Sequence, residues 1–482
     1  MGNKWDNVCI DDIKSPEKYS CVGGPFGSSL SQKHYVDSGI PVIRGVNLAG
    51  DIFSETGFVF VSQDKSNELC RNMAFRGDLV FTQRGTLGQV ALIPEDSKYE
   101  RYIVSQSQMK LTVNPQLADS YFIYTYFRTN EAKALIEKNA IVGGVPHINL
   151  GILKAFKLRL PPLFEQKRIS EISRSIDNKI TLNRQINQTL EQMAQALFKS
   201  WFIDFDPVVD NALDAGFFEQ DLEFPDELLC RAEVRKVVRE SSDFKPLSND
   251  IRQLFPTAFD KCSEPSLGLG GWIPSGWVVS TTGDEFTVKG GSTPSTANPE
   301  FWEGGDIHWT SPKDLSGSKE KIMLDTERKI TCAGLNKITS GLLPSETVLM
   351  SSRAPIGYLA LTKIPVAINQ GYIAIPATKR LSQEYVLYWL NSSIDEIKGI
   401  AGGTTFAEIS KKTFKSISIV IPNTEAVDIF SVTTKSYLNK MTLSAVERAA
   451  LEQLRDTLLP KLISGELRLS DSEADTADEV LA

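Results

Sequence analysis

The chain has 482 residues, 41% hydrophobic and 23% charged, which excludes a mainly disordered or fibrous protein. Its longest uncharged stretch, Pro265 to Gly283, is full of Gly, Ser and Pro and is unlike the ~20 apolar residues of a membrane span. The net charge of −8 is uneven: residues 204–265 hold 15 Asp/Glu against 7 Lys/Arg, the tail 470–482 holds 5 acids and no base, and the rest is +5. A mildly basic body with acidic appendages is compatible with a nucleic-acid-binding surface.

The N-terminus has no apolar signal region, and Gly2 is followed by Asp6 where a myristoylation motif needs Ser or Thr. Cysteines 9, 21, 70, 230, 262 and 332 never fall as CxxC, so neither a disulfide framework nor a zinc ribbon is expected. The expectation is a reduced, cytoplasmic protein with no membrane contact.

Residues 1–162 read as a globular unit of short strands bounded by Gly and Pro. A helix is expected at Ser120–Lys138, where Tyr121, Tyr124 and Phe127 recur at 3–4 spacing as core aromatics. The segment Leu79 to Leu92 is an apolar run, a polar pair, Arg84, a turn with Gly and a second apolar run. After it come Ser105-Gln106-Ser107, Gly143-Gly144 and a strand Phe156–Leu160 closed by Pro161. Residues 163–203 then read as one long helix. Its apolar stripe is Ile169, Ile172, Ile176, Ile180, Ile186, Leu190, Met193 and Leu197, with Asn183 interrupting as a register-setting polar residue. Residues 204–270 read as an acidic linker or insertion, with Asp204 and Asp206 as its solvated start rather than a metal pair.

From 271 the order repeats. Val348 to Leu361 matches Leu79 to Leu92 with Arg353 at the turn, Asn369-Gln370-Gly371 matches Ser105-Gln106-Ser107, and Gly402-Gly403 matches Gly143-Gly144. A helix is expected at Gln383–Lys398, with Tyr385, Tyr388 and Trp389, and the strand Ile417–Ile421 closes on Pro422. The second globular unit is thus 271–422. A second long helix, 423–469, carries the looser stripe Phe430, Tyr437, Met441, Leu451, Leu454, Leu458 and Leu462, before the acidic tail 470–482. The two stripes, each on a helix ~55 Å long at ~1.5 Å per residue, suit pairing with one another. The fold class is α+β, written twice.

Catalytic constellations are absent from the sequence. There is no GxxxxGK[ST] or GxGxxG loop, no HExxH, no GxSxG elbow and no Asn/Asp-Pro-Pro-aromatic loop, and His34, His147 and His308 stand isolated. The chain reads as a binding protein, and its candidates lie at the repeated polar turns. Arg84 and Arg353 can clamp guanine O6/N7, and Gln106, Gln108, Asn369 and Gln370 offer the amides that read adenine. Gln83, Thr86 and Ser352 flank the arginines; His147 and Asn149 follow the first Gly pair. Lys33, His34, Lys313, Lys411 and Lys412 are candidate phosphate contacts. The alternative for all of them is a structural turn or a solvated surface. Arg235 reads as an ordinary surface arginine.

The doubled layout resembles the specificity (S) subunit of type I restriction–modification systems. The resemblance is carried by Leu197-Phe198-Lys199-Ser200-Trp201-Phe202-Ile203-Asp204-Phe205-Asp206-Pro207-Val208, by Leu458-Leu459-Pro460-Lys461-Leu462-Ile463-Ser464-Gly465-Glu466-Leu467 and by Gly271-Trp272-Ile273-Pro274-Ser275-Gly276-Trp277. It implies two target-recognition domains, each reading half of a split double-stranded DNA sequence, and two helices in an antiparallel coiled coil that dock two modification subunits. S-adenosylmethionine, ATP and Mg would belong to the partners, including restriction (motor–nuclease) subunits, with no cofactor or metal on this chain. Two competing readings are a repeat-built protein-interaction scaffold without DNA specificity and a fused enzyme with an unrecognised active site.

Overall fold

A computed structural model describes residues 5–469 other than 51, 318–319 and 403–406, so the acidic tail 470–482 lies outside the described residues. The chain divides into two compact units, Met1–Thr181 with Arg448–Ala482, and Leu182–Glu447. Among the described residues no helix is long and apolar enough to cross a membrane, and no group of three or more His, Cys, Asp or Glu could hold a metal ion.

In the first unit, Cys21–Gly23, Gln108–Leu111, Leu79–Thr82 and Val90–Leu92 form an antiparallel sheet in that order. Leu79–Thr82 is buried throughout because both of its faces are covered. Leu79 and Phe81 point into a core with Phe122 and Phe127 of the helix Ser120–Arg128, whereas Val80 joins Ile43, Ala74 and Tyr102 in a second core. That second core lies under a five-stranded sheet in which Ile40–Ile43 and Arg101–Val104 run parallel, Val42 opposite Ile103. The expected helix 120–138 is two helices, Ser120–Arg128 and Asn130–Lys138. Thr129 leaves helical geometry (ψ 150°) and its hydroxyl caps the second by accepting from Ala132 N–H.

The second unit repeats the plan. Phe286–Lys289, Tyr372–Thr378, Val348–Ser351, Leu359–Thr362 and Ile322–Met323 form its main sheet. Val348 and Met350 share a core with Tyr385 and Leu387 of the helix Gln383–Gly399, while Leu349 faces Ala360 and Ala374 in another. Trp309 stands opposite Ala367 in a parallel pairing, as Val42 does opposite Ile103. Tyr124, Phe127, Tyr385, Tyr388 and Trp389 are buried as expected of core aromatics, whereas Tyr121 is half-buried and donates its hydroxyl to Asp177 (2.7 Å).

The long helices are Leu163–Phe198 and Thr424–Ser464. In the first unit Ile169 shares a core with Leu459, Leu462 and Ile463. In the second unit Asn183 Nδ2 donates to Glu447 (2.8 Å), Asn187 Nδ2 to the Met441 carbonyl (3.1 Å), and the Phe198 and Phe430 rings lie 5.6 Å apart. One number rises as the other falls, so the helices run antiparallel there.

The buried stripe is not the one hydrophobicity selects. It begins as expected with Ile169, Ile176, Ile180 and Asn183, then continues through Asn187, Ala194 and Phe198. Ile172, Ile186, Leu190 and Leu197 are only half-buried, and Met193 is 46% exposed. On the partner helix Phe430, Thr434, Leu438, Met441, Ala445 and Leu459 are buried, Tyr437, Leu451 and Leu458 are half-buried, and Leu454 is 45% exposed. Small and polar side chains sit inward, and an apolar-only reading passes over them.

Residues 204–270 form a folded insertion. Helices Asp206–Asp214 and Asp226–Glu240 lie side by side and parallel, joined by a ladder at a constant offset: Arg231 to Asp206, Arg235 to Asp210 (2.5 Å) and Arg239 to Asp214 (2.5 Å). Arg252 also reaches Asp214. Val208, Val209, Ala212, Leu228 and Ala232 are buried beneath, with Phe217, Phe255 and Phe259. Asp206 is therefore a buried ladder acid rather than a solvated one, and Arg235 is a bidentate partner of Asp210 rather than a surface arginine.

Candidate nucleic-acid interface

The repeated turns are built on one backbone frame. Gln83 N–H donates to the Ser107 carbonyl (2.7 Å) and Ile148 N–H to the Gln83 carbonyl (3.0 Å). In the second copy Ser352 N–H donates to the Gly371 carbonyl (2.8 Å) and Ile409 N–H to the Ser352 carbonyl (3.0 Å). The turn after each arginine requires left-handed backbone. Gly85 has φ +106° and Gly88 +82°, against +50° at Ala354 and +106° at Gly357. A non-glycine at positive φ is uncommon, so the frame holds Ala354 in a conformation that costs of order 1 kcal/mol.

In the first unit this frame borders a cleft of about 700 Å³. Arg84, Thr86, Gln106 and Gln108 line it, together with Gln32, Tyr35, Arg44 and Gln89, which the sequence did not single out. Lys33 and His34 flank it in sequence between Gln32 and Tyr35. Arg44 donates to the Gly57 carbonyl through one terminal nitrogen, while its buried Nε has no partner. Arg44 follows directly on the strand Ile40–Ile43, and a polar residue closing a buried apolar run was its only signal.

Several candidates are committed to the fold. Gln108 is 1% exposed and accepts from the Ser105 hydroxyl, and Gln106 Nε2 donates to the Gly27 and Leu30 carbonyls. Asn149 caps the helix Leu150–Ala155 by accepting from Ile152 N–H (2.9 Å). Asn369 accepts from Gly371 N–H (2.7 Å), Gln370 accepts from the Thr293 hydroxyl (2.8 Å), and Ser352 is buried. His34 Nδ1 bonds Ser31 N (3.0 Å), and Lys313 pairs with Glu327 (3.0 Å). Lys33, Lys411 and Lys412 are exposed. Arg84 and Thr86 are exposed, and Arg353 reaches toward Glu408 at 3.8 Å.

Glu408 has its counterpart in the first unit at His147, which a glycine-pair alignment of the repeats hides. Arg84 bridges His147 and Ile141 bridges His147; Arg353 bridges Glu408 and Gly402 bridges Glu408. His147 therefore corresponds to Glu408 and Ile141 to Gly402, so matching Gly143-Gly144 with Gly402-Gly403 puts the copies two residues out of register.

The chain is thus a twofold α+β protein with an arginine turn repeated on one backbone frame. Residues 25–192 and 274–453 match the family of type I restriction modification DNA specificity domains. The chain belongs to this family and is a specificity subunit, the non-catalytic DNA target recognition component of a type I system. It is 28% identical over 412 residues to the type I restriction enzyme HindI specificity subunit of Haemophilus influenzae, covering 81% of this chain and 87% of that one. It is 39% identical over 157 residues to the MjaIX specificity subunit of Methanocaldococcus jannaschii, covering 32% and 36%. The S subunit of a type I restriction-modification system from M. genitalium has the same fold (TM-score 0.54, 16% identity, 96% and 97% coverage).

Proposed function

We propose that each unit reads one half of a bipartite double-stranded DNA target, and that the helix pair docks two modification subunits and sets the gap between the halves. S-adenosylmethionine chemistry then belongs to those subunits, and ATP and Mg to restriction subunits where these are present, in the cytoplasm. The observation that carries this reading is the arginine turn repeated on one backbone frame. Arginine there can donate bidentately to guanine or neutralise phosphate, and two modest half-site readings on one chain multiply into useful specificity.

The test is binding of the full chain, with its modification subunits, to duplex DNA across a salt series. Phosphate neutralisation makes log K fall linearly with log salt, and a bipartite duplex should outcompete either half alone. A repeat-built protein scaffold would show no salt-sensitive DNA affinity. A chain that methylates or cleaves DNA without partners would instead be a fused enzyme.

A further inference from the structure

The two copies set different side chains against the same arginine. In the first unit Arg84 has His147 as its cross-strand neighbour, and among the described residues no Asp or Glu lines the adjoining cleft, which also holds Arg44. In the second unit the neighbour is Glu408, with its Oε1 3.8 Å from the Arg353 guanidinium and the two side chains 49% and 39% exposed. An ion pair that open adds little to stability. The backbone holds the position instead, through the Arg353–Glu408 bridge and the adjoining Ile409-to-Ser352 hydrogen bond.

The carboxylate therefore acts on what approaches the turn. A phosphate meeting Arg353 also meets Glu408, and the two charges largely cancel, whereas beside Arg84 the cross-strand neighbour is His147, which carries no carboxylate. A base edge is different. The guanidinium still donates to guanine O6/N7, and a carboxylate accepts from the cytosine amino group.

We propose that Glu408 is a specificity-determining positioning residue of the second unit, which withholds Arg353 from phosphate and commits it to base edges. Arg84, with His147 beside it, is left open to phosphate as well as to base. The inference rests on the reading of each unit as a half-site reader.

The test uses the full chain with its modification subunits, a salt series on duplex DNA, and half-site preferences selected from a randomised bipartite library. Glu408→Gln keeps the shape and removes the charge. It should steepen the log K against log salt slope by about one unit and relax the half-site read by the second unit, leaving the other half-site as it was. Glu408→Asp should keep the wild-type slope. His147→Glu should do the reverse in the first unit and make the slope shallower by about one unit. Glu408→Gln with an unchanged slope, or with a changed slope and an unrelaxed second half-site, would overturn the proposal. A wild-type protein without salt-sensitive DNA binding would instead overturn the half-site reading itself, so the two failures are distinguishable.

Discussion

Arg84 is exposed at its turn, whereas Gln106 and Gln108 in the same cleft spend their amides on protein carbonyls and a hydroxyl. The cost of truncation should divide accordingly. Arg84→Ala should lose about 1–3 kcal/mol of cognate DNA affinity if its contact is bidentate to a base, with no change in thermal midpoint. Gln108→Ala removes a buried polar partner and should cost about 1–3 kcal/mol of folding stability, with the half-site sequence unchanged. Calorimetry and a binding titration on the same two variants check both. The arginine turns were legible in the sequence because a short polar insert between two apolar runs is a local pattern. Which polar residues are already engaged was not legible, because Gln106 bonds carbonyls 79 and 76 residues away.

At the level of elements, the helix stripe and the folded insertion failed to show in the sequence for one physical reason. Both depend on what lies opposite. Ala194 is fully buried within the second unit's core, and Met193 beside it is exposed although far more apolar. Met193→Ala and Leu454→Ala should change stability by less than about 0.5 kcal/mol. Ala194→Leu should cost about 1–3 kcal/mol by overpacking, and Phe198→Ala about 3–5 kcal/mol. Urea midpoints rank the four, and a large loss at Met193 would restore the apolar-only stripe. The insertion follows the same logic: Asp206, Asp210 and Asp214 at fourfold spacing read as solvated charge until Arg231, Arg235 and Arg239 stand beside them. Asp210 and Arg235 form a bidentate, largely buried pair, with side chains 15% and 11% exposed. A double-mutant cycle with Asp210→Asn and Arg235→Gln should give a coupling of roughly 0.5–3 kcal/mol. A coupling near zero would reduce the ladder to surface decoration.

For the whole molecule, the repeat in the sequence foretold two compact units but not where each one ends. A boundary at residue 162 cuts through packed structure. Asp119 N–H donates to Gln166, Tyr121 and Arg128 both bond Asp177, and Ile169, Leu459, Leu462 and Ile463 share the first unit's core. The unit is Met1–Thr181 with Arg448–Ala482, assembled from both ends of the chain. An exchange confined to 1–162 would separate Asp177 from Tyr121 and Arg128, leaving it Arg455, and should lower stability. The measurement that tests the account most directly is therefore an exchange of 1–181 together with 448–469 for the matching segments of another specificity subunit, read by sequencing methylated sites genome-wide. One half of the methylated sequence should become the donor's, and the other half should stay as it was. A variant that assembles and methylates but changes both halves, or neither, would contradict the claim that each unit reads its own half of the target.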